Sequence, residues 1–503
     1  MAEEILDSED RPVTALPAGP DPAETGRSPS AVSRVARNIS YLFVYQVASR
    51  ALGLVLTLVL ARRLETAGYG RYSLILVIIL LVGMAADFGT ANILIRDISR
   101  RREQANSFLA AALLLKLITT LVVAAGVALI ILTAGFSRQF SVPLMIATLS
   151  IIPTSMSTAI ESAFQAFERM DLSALADVVF SIALTVAGVA VMYAGGGVTQ
   201  MTVVYLGASF IRLGYSSLVY RRLPRVPSEW RFDGAIFRHL VKESFPVLYW
   251  QLISLAYYKV DVVLLGAMRA DVEVGWYAVA YKLFEVITMF GWLAVQALLP
   301  LMSMTYQRSK DGLYVLFEKA MKYVWIAGLG VAILMMALSS AAVSLVLPPS
   351  YLPAINLLRV LGFAVPLMVG CTLFGNLFVA MNLQGRVAKW SLLSLAVNVG
   401  LNLVLIPHFG AMGAAVTTLL SEVFSFIFFY SFTAYYLRHV RMLEVFLFPA
   451  LVAGGLLILL LLMRNMPVYV IAAVGIIGYP ALLLLFRVVS QDDMSYFRRL
   501  RAG

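Results

Sequence analysis

Two apolar runs near the start of the chain constrain what it can become. Tyr41 to Leu60 and Ser73 to Ile95 are separated only by the polar turn from Ala61 to Tyr72. Each is long enough, as a helix rising ~1.5 Å per residue, to cross a hydrocarbon core of ~30 Å. Arg50 interrupts the first run and Asp87 the second, and the basic cluster Arg100-Arg101-Arg102 follows.

The same pattern returns 205 positions later. Gln46 falls on Gln251, Ser49 on Ser254, Gly70 on Gly275 and Tyr72 on Tyr277, with Tyr45 opposite Trp250. Four identities in matching places of two hairpins point to duplication, a common plan among transporters. Six spans separate the repeats, an even number, so the halves run parallel about an axis along the membrane normal.

Composition enters where it excludes a soluble core. Charged residues make up 13% of 503 and the mean hydropathy is +0.86, whereas a soluble domain carries about a quarter charged. About fourteen helical spans fit, so the fold class is an all-α polytopic membrane protein. The alternate loops carry 25 Lys and Arg on one side and 6 on the other. That asymmetry predicts a multi-pass protein of the cell (inner, cytoplasmic) membrane with both termini cytoplasmic. The net charge of +11 is then topology and anionic-lipid contact, and no nucleic acid is expected. The single Cys371 rules out an internal disulfide, and three scattered histidines argue against a metal centre.

Residues 1–37 read as a disordered acidic tail, with seven acids between Glu3 and Glu24. An N-terminal half follows over 38–220, an amphipathic linker over 221–243 with Asp233 as a helix cap, and a second half over 244–437. Residues 443–487 hold a last helix pair, and 488–503 a basic tail. The weakly basic loops are short, none above about a dozen residues, which leaves no room for the catalytic domain of a membrane glycosyltransferase. A transporter rather than an enzyme is expected, with no cofactor.

Charges inside spans cost ~2.5–3.5 kcal/mol each at a span centre, so they mark function or helix pairing. The bases are Arg50, Lys116, Arg212, Lys259, Lys282 and Arg359; the acids are Asp87, Glu161, Asp177, Asp261, Glu285 and Glu422. Lys282 and Glu285 share a helical face and either pin helices or serve a site. Lys259 and Asp261 point apart, so at least one needs another partner. Glu161, Asp177 and Glu422 lie near span ends and read as interfacial, whereas Arg50 and Asp87 lie deep and read as cavity residues. Tyr257 and Tyr258 are candidates to stack on sugar rings; Trp276 and Tyr277 read as an interface belt. Pro153 and Pro366 occupy matching places in the halves, as hinges would.

The segments Arg-Asn-Ile-Ser-Tyr-Leu (37–42), Ala-Arg-Arg-Leu-x-x-x-Gly-Tyr-Gly-Arg-Tyr (61–72) and Asp-Phe-Gly with Arg96 (87–96) resemble the opening of polysaccharide, or oligosaccharide, flippases. These belong to the multidrug/oligosaccharidyl-lipid/polysaccharide exporter superfamily. Ala-Ser-Arg-Ala-Leu-Gly (48–53) is also similar to the first-span motif of lipid II flippases, whose arginine faces the cavity. Leu56 stands where that motif has a second arginine. The resemblance implies two six-helix lobes around a V-shaped cavity that alternates between its two openings, with spans 13 and 14 forming a groove for a lipid tail.

The expected activity is flipping of a polyprenyl-pyrophosphate-linked oligosaccharide to the outer leaflet. Arg50, Lys259, Lys282 and also Arg212 or Arg359 would hold the pyrophosphate, and Tyr257 and Tyr258 the sugar. Asp87, Asp261 and Glu285 would couple transport to membrane potential, protons or sodium. Membrane lipids, and a glycan polymerase or glycosyltransferases, are the expected partners. A cation-coupled multidrug exporter of the same superfamily is the alternative; it predicts an acid-dominated cavity and twelve spans.

Overall fold

A computed structural model of the chain describes residues 31–223, 230–463 and 465–489. Residues 1–30 of the acidic N-terminal tail and most of the basic C-terminal tail lie outside the described residues; the last seven positions of the expected tail, 31–37, are instead the first turns of α1. The described chain is helical, without strands. Helices α1 (Ala31–Arg63), α2 (Glu65–Asp87), α3 (Thr90–Arg100), α4 (Ala105–Ala134), α5 (Arg138–Leu149), α6 (Ile151–Ala166), α7 (Met170–Tyr193) and α8 (Val198–Arg221) make the N-lobe. The C-lobe comprises α9 (Gly234–Met268), α10 (Asp271–Gln296), α11 (Leu299–Arg308), α12 (Lys310–Val346), α13 (Ala354–Ala380), α14 (Gln384–Phe409) and α15 (Ala411–Tyr436). The accessory pair α16 (Phe448–Leu462) and α17 (Val468–Leu485) follows a π turn at Leu443–Leu447. Thirteen segments among the described residues are long and apolar enough to cross a membrane. With α1, whose run Tyr41–Leu60 has the same character, the expected fourteen are present.

The repeat is visible in where helices break. α1 ends at Arg63 and α9 at Met268; α4 starts at Ala105 and α12 at Lys310. Each lobe's second span is cut near its end, at Phe88–Gly89 in the N-lobe and at Ala297–Leu298 in the C-lobe. The expected second span, 73–96, is therefore two helices. Phe88 and Gly89 both take left-handed backbone, φ 56° and 68°, and Asp87 sits on the last turn of α2 rather than mid-helix. A side chain at Gly89 would strike the Leu248 backbone nitrogen at 2.7 Å, so glycine serves both the turn and the close approach of α9.

The linker departs from expectation in one respect. Asp233 does cap a helix, accepting from Ala235 N at 2.7 Å, but that helix continues through Pro246 to Met268 as α9. Its Ile236, Phe237 and Val241 pack with Ile93, Leu94 and Phe108 of the N-lobe. This apolar face is thus spent on lobe–lobe packing, not on a membrane surface.

The lobes meet along α2, whose neighbours across the seam are α9 and α10; α3 and α4 also lie on α9. The end of the bundle with Arg96, Arg100 and Glu243 is the basic end, and the other, with its short connections, the turn end. At the turn end the backbones of α2 and α10 touch. A Cβ on Gly70 would lie 1.9 Å from the Asp271 carbonyl oxygen, and one on Gly275 would lie 2.2 Å from that of Thr66. Arg71 adds two hydrogen bonds to Asp271, at 3.0 and 2.8 Å. Arg62 reaches the Val346 carbonyl at 2.9 Å and Tyr351 that of Glu65 at 3.3 Å. The turn end is closed.

Candidate functional site

The charges buried in the spans sort into separate groups. On the seam, Lys259 of α9 and Lys282 of α10 converge on Glu285. Lys259 makes a close hydrogen bond to it, and Lys282 lies 3.6 Å from its other oxygen. The Lys259 ammonium also sits 4.7 Å from the centre of the Tyr281 ring. Arg50 of α1, exposed on the face of the N-lobe, lies within electrostatic range of both Lys282 and Glu285. Two bases and one acid of the C-lobe are thus in contact, with Arg50 of the N-lobe at longer range. Of the residues named from sequence, the structure brings Lys259, Lys282 and Glu285 together and leaves Arg50 within their electrostatic reach.

The others lie elsewhere, each for a reason in its surroundings. Arg212 of α8 forks onto Glu161 of α6 at 2.8 and 2.6 Å and meets Asp177 of α7 at 2.7 Å. Ser216 adds a bond to Glu161 at 3.1 Å. This is an intralobe brace. Arg359 bonds Ser339 and Ser340 of α12, both at 3.1 Å, toward the turn end. Asp87 is taken by Lys116 of α4, whose side chain is fully buried, and by Thr158 of α6 at 3.0 Å. Thr158 also bonds Lys116 at 2.8 Å. These three helices close over the pair, so Asp87 does not reach the seam cluster.

Glu161 and Glu422 are buried, not interfacial; only Asp177 is half exposed. Tyr277, expected at the membrane interface, is fully buried and donates to Asp261 of α9. It also meets Thr418 of α15 at 3.1 Å. Alternation along α9 explains the separation: Lys259 points to the seam and Asp261 into the C-lobe. Tyr257 turns away from the bases as well, donating to Glu422 at 3.2 Å and stacking edge-on with Tyr258. Tyr258 is exposed beside them.

Two further features lie apart from the buried charges, one unforeseen and one implied by the resemblance. One is a tie between the lobes at the basic end. Arg96 bonds Asp97 at 2.7 Å and Glu243 of α9 at 3.2 Å, and His239 of α9 bonds Asp97 at 2.8 Å. Burial opposes the charge on Asp97, but hydrogen bonds from Arg96 and His239 and their fields hold its carboxyl below the usual range. Glu243 and His239 lie in the amphipathic stretch and Asp97 in α3, but nothing in one chain tells which helix they face. The other is a groove of about 1050 Å³ between α12, α16 and α17. Its walls include Phe448, Leu451, Leu459 and Leu482, and its mouth Lys322 and Arg487. Among the described residues no group of three His, Cys, Asp or Glu is placed to hold a metal.

A two-lobed helical bundle with thirteen apolar spans among its described residues and a charged cluster between helices of its spans is the architecture of a membrane transporter. Residues 35–306 match the family model described as polysaccharide biosynthesis protein. The chain belongs to that family. No curated protein sequence matches it. Among solved structures it is similar to a lipid II flippase, MurJ, in an inward closed conformation, with a TM-score of 0.75 and 14% identity. That likeness covers 88% of this chain and 99% of the other. It is also similar to a multidrug resistance MATE family transporter of the MOP superfamily in its inward-facing conformation, with TM-score 0.62, 15% identity, and 80% and 98% covered. An outward-facing structure with the same description gives 0.56, 15%, 85% and 99%. At these identities the likeness establishes the fold.

Proposed function

We propose that the chain flips a polyprenyl-pyrophosphate-linked oligosaccharide from the cytoplasmic to the outer leaflet by alternating access, for surface glycan assembly. The observation that carries this reading is the seam cluster: two lysines on one carboxylate, with Arg50 of the other lobe within electrostatic range. A sugar-bearing pyrophosphate cannot enter hydrocarbon unaided, whereas its polyprenyl tail need not leave it. Glu285 contacts both Lys259 and Lys282 and offsets one of their two charges. An arriving pyrophosphate would take its place, with Arg50 completing the ring from the other lobe. Glu285 thus acts as a placeholder that keeps the two lysine side chains pointing inward between cycles.

The groove along α16 and α17 supports the same cargo, since its apolar walls suit an isoprenoid tail. On this reading the basic end is cytoplasmic, and the closed turn end favours loading from that side. Asp261 and Glu285 remain the coupling candidates; a role for Asp87 would act through Lys116, inside the N-lobe. Drug export, the reading that the MATE likeness raises, asks for acids free to take a cation. The bases of the seam speak against it.

The test is a flip assay in proteoliposomes with a fluorescent polyprenyl-pyrophosphate oligosaccharide, with and without an imposed potential. Protein-dependent loss of outer-leaflet label supports the proposal, and its voltage response reports whether net charge moves. No movement, together with uptake of a lipophilic cation against a proton or sodium gradient, would replace the flippase with a drug exporter.

A further inference from the structure

We propose that Glu422 is a proton-binding site at the inner end of a pocket that runs inside the C-lobe, apart from the seam. The pocket, about 300 Å³, lies between α9, α13, α14 and α15. Trp250 and Phe378 mark its basic-end portion, and the hydroxyls of Ser254, Thr372, Ser391 and Ser394 line it. Glu422 closes it from the middle of the lobe, with 4% of its surface exposed. The same carboxylate also lines a small cavity of about 10 Å³ on its far side, where Asp261, Asn398 and Thr418 are found. Glu422 and its neighbour Tyr257 therefore stand between the hydroxyl-lined pocket and Asp261.

What singles out Glu422 is its company. Every other buried carboxylate described above, Asp261 excepted, has a base in contact: Asp87 has Lys116, Glu161 has Arg212, Glu285 has two lysines. Among the described residues no Lys, Arg or His stands within ion-pair distance of Glu422. The titratable groups that face it are Tyr257 and Tyr258 from α9, Cys371 from α13, Tyr281 from α10 and Asp261 across the small cavity. Among the described residues α14 presents Ser391, Ser394 and Asn398, and α15 itself Ser421 and Ser425. An ionised carboxylate so placed has no counter-charge in a low-dielectric medium, a costly state that a bound proton removes.

The neighbours suit a proton better than a metal cation. Tyr257 donates to Glu422 and exchanges a 3.2 Å contact with Ser425, which bonds Ser394 at 3.3 Å. This hydroxyl chain leads from the carboxylate to the wall of the pocket, and each member is both donor and acceptor. A dehydrated cation would need several oxygens free to converge on it, and here they are bonded to one another. The far cavity holds about one water, enough for a hydrogen-bonded step toward Asp261 but too little for a hydrated ion. The proposal concerns the resting protein and stands whatever the cargo proves to be.

Infrared spectroscopy of the full chain in nanodiscs across a pH series tests it. The protonated-carboxyl band should fade as pH rises, be lost in Glu422→Gln and persist in Glu285→Gln. Tyr257→Phe removes a donor that stabilises the charged form, so the band should survive to higher pH. A band unchanged by Glu422→Gln overturns the proposal. So does a wild-type band that sodium or potassium abolishes at fixed pH, which would make the site a cation site. Should Glu422→Gln fail to fold, wild-type protein answers through dicyclohexylcarbodiimide, which attacks protonated carboxyls. A mapped adduct at Glu422 with yield falling as pH rises supports protonation; no adduct there while Asp261 reacts, or a pH-independent yield, rules it out.

Discussion

Gly70 and Gly275 pack reciprocally. Each brings its Cα against the carbonyl of the residue four positions before the other, Asp271 and Thr66 respectively. Since Thr66 and Asp271 are themselves 205 apart, as the glycines are, the contact lies on the pseudo-two-fold axis relating the lobes. Any Cβ here would overlap backbone, not a flexible side chain. Gly70→Ala or Gly275→Ala should therefore force the turn end apart, at a cost of roughly 1–3 kcal/mol or more to the closed form. Spin-label distances across the turn end would lengthen in either variant; unchanged distances would mean that the seam flexes elsewhere.

Arg71 and Asp271 flank that contact and are only part-buried. Arg71→Ala should loosen closure by about 0.5–1 kcal/mol, less than the glycine change, because solvent screens the pair. A double-mutant cycle in thermal unfolding would show coupling of similar size, and a swapped pair, Arg71→Asp with Asp271→Arg, should recover part of it. Additive losses would show the bond to be incidental.

Lys116 and Asp87 make the opposite case. Asp87→Ala leaves a fully buried ammonium with only Thr158, so the loss should be about 3–5 kcal/mol, seen as a large fall in Tm in detergent. Removing both charges with Lys116→Met and Asp87→Leu should restore most of it. If the single variants were as stable as wild type, the pair would have a role other than holding α2, α4 and α6 together.

Among the bases, position on the seam separates the proposed cargo contacts from braces. Arg50→Ala, Lys259→Ala and Lys282→Ala should each reduce flipping at least tenfold while the protein inserts and purifies normally. Arg359→Ala, bound to two serines near the turn end, should leave flipping within about twofold, since each 1.4 kcal/mol is a factor of ten and no cargo contact is removed. Wild-type flipping by Arg50→Ala would sink the assignment.

The basic-end tie gives a signed pH expectation. Asp97 has its carboxyl value lowered on folding, so its contribution is present above the ordinary aspartate range and is lost as pH falls through the lowered value. Through the neutral range this carboxylate should keep the tie closed without titrating. Asp97→Asn should weaken it at every pH, read as a longer α3–α9 spin-label distance. A wild-type distance in that variant would leave Arg96 and Glu243 as the tie.

The sequence carried the architecture because the physics of the bilayer is repetitive: span length, loop charge and a 205-residue echo are all readable along one line. Arg50, Lys259, Lys282 and Glu285 were legible as charges that needed a reason. Their segregation from Arg212, Arg359 and Asp87 was not, since it depends on which helix face meets which neighbour, and in lipid both faces are apolar. Tyr277 shows the limit well. Its place beside Trp276 near a span end suggested an interface, but the close approach of α2 and α10 buries that end. The break at Phe88–Gly89 was hidden for a related reason: the Gly89 backbone is shaped by α9, some 150 positions away.

Among the described residues α16 and α17 rest on α12, on each other and on the π turn before them, with no seat on the N-lobe. The two halves are therefore not equal partners. A tail lodged in that groove would travel as a passenger of the C-lobe, in fixed register with Lys259 and Lys282 whichever way the bundle rocks. Arg50 alone would approach and recede. Seen from the cargo, one wall of the chamber is furniture and the other is a door, and the arginine is its handle.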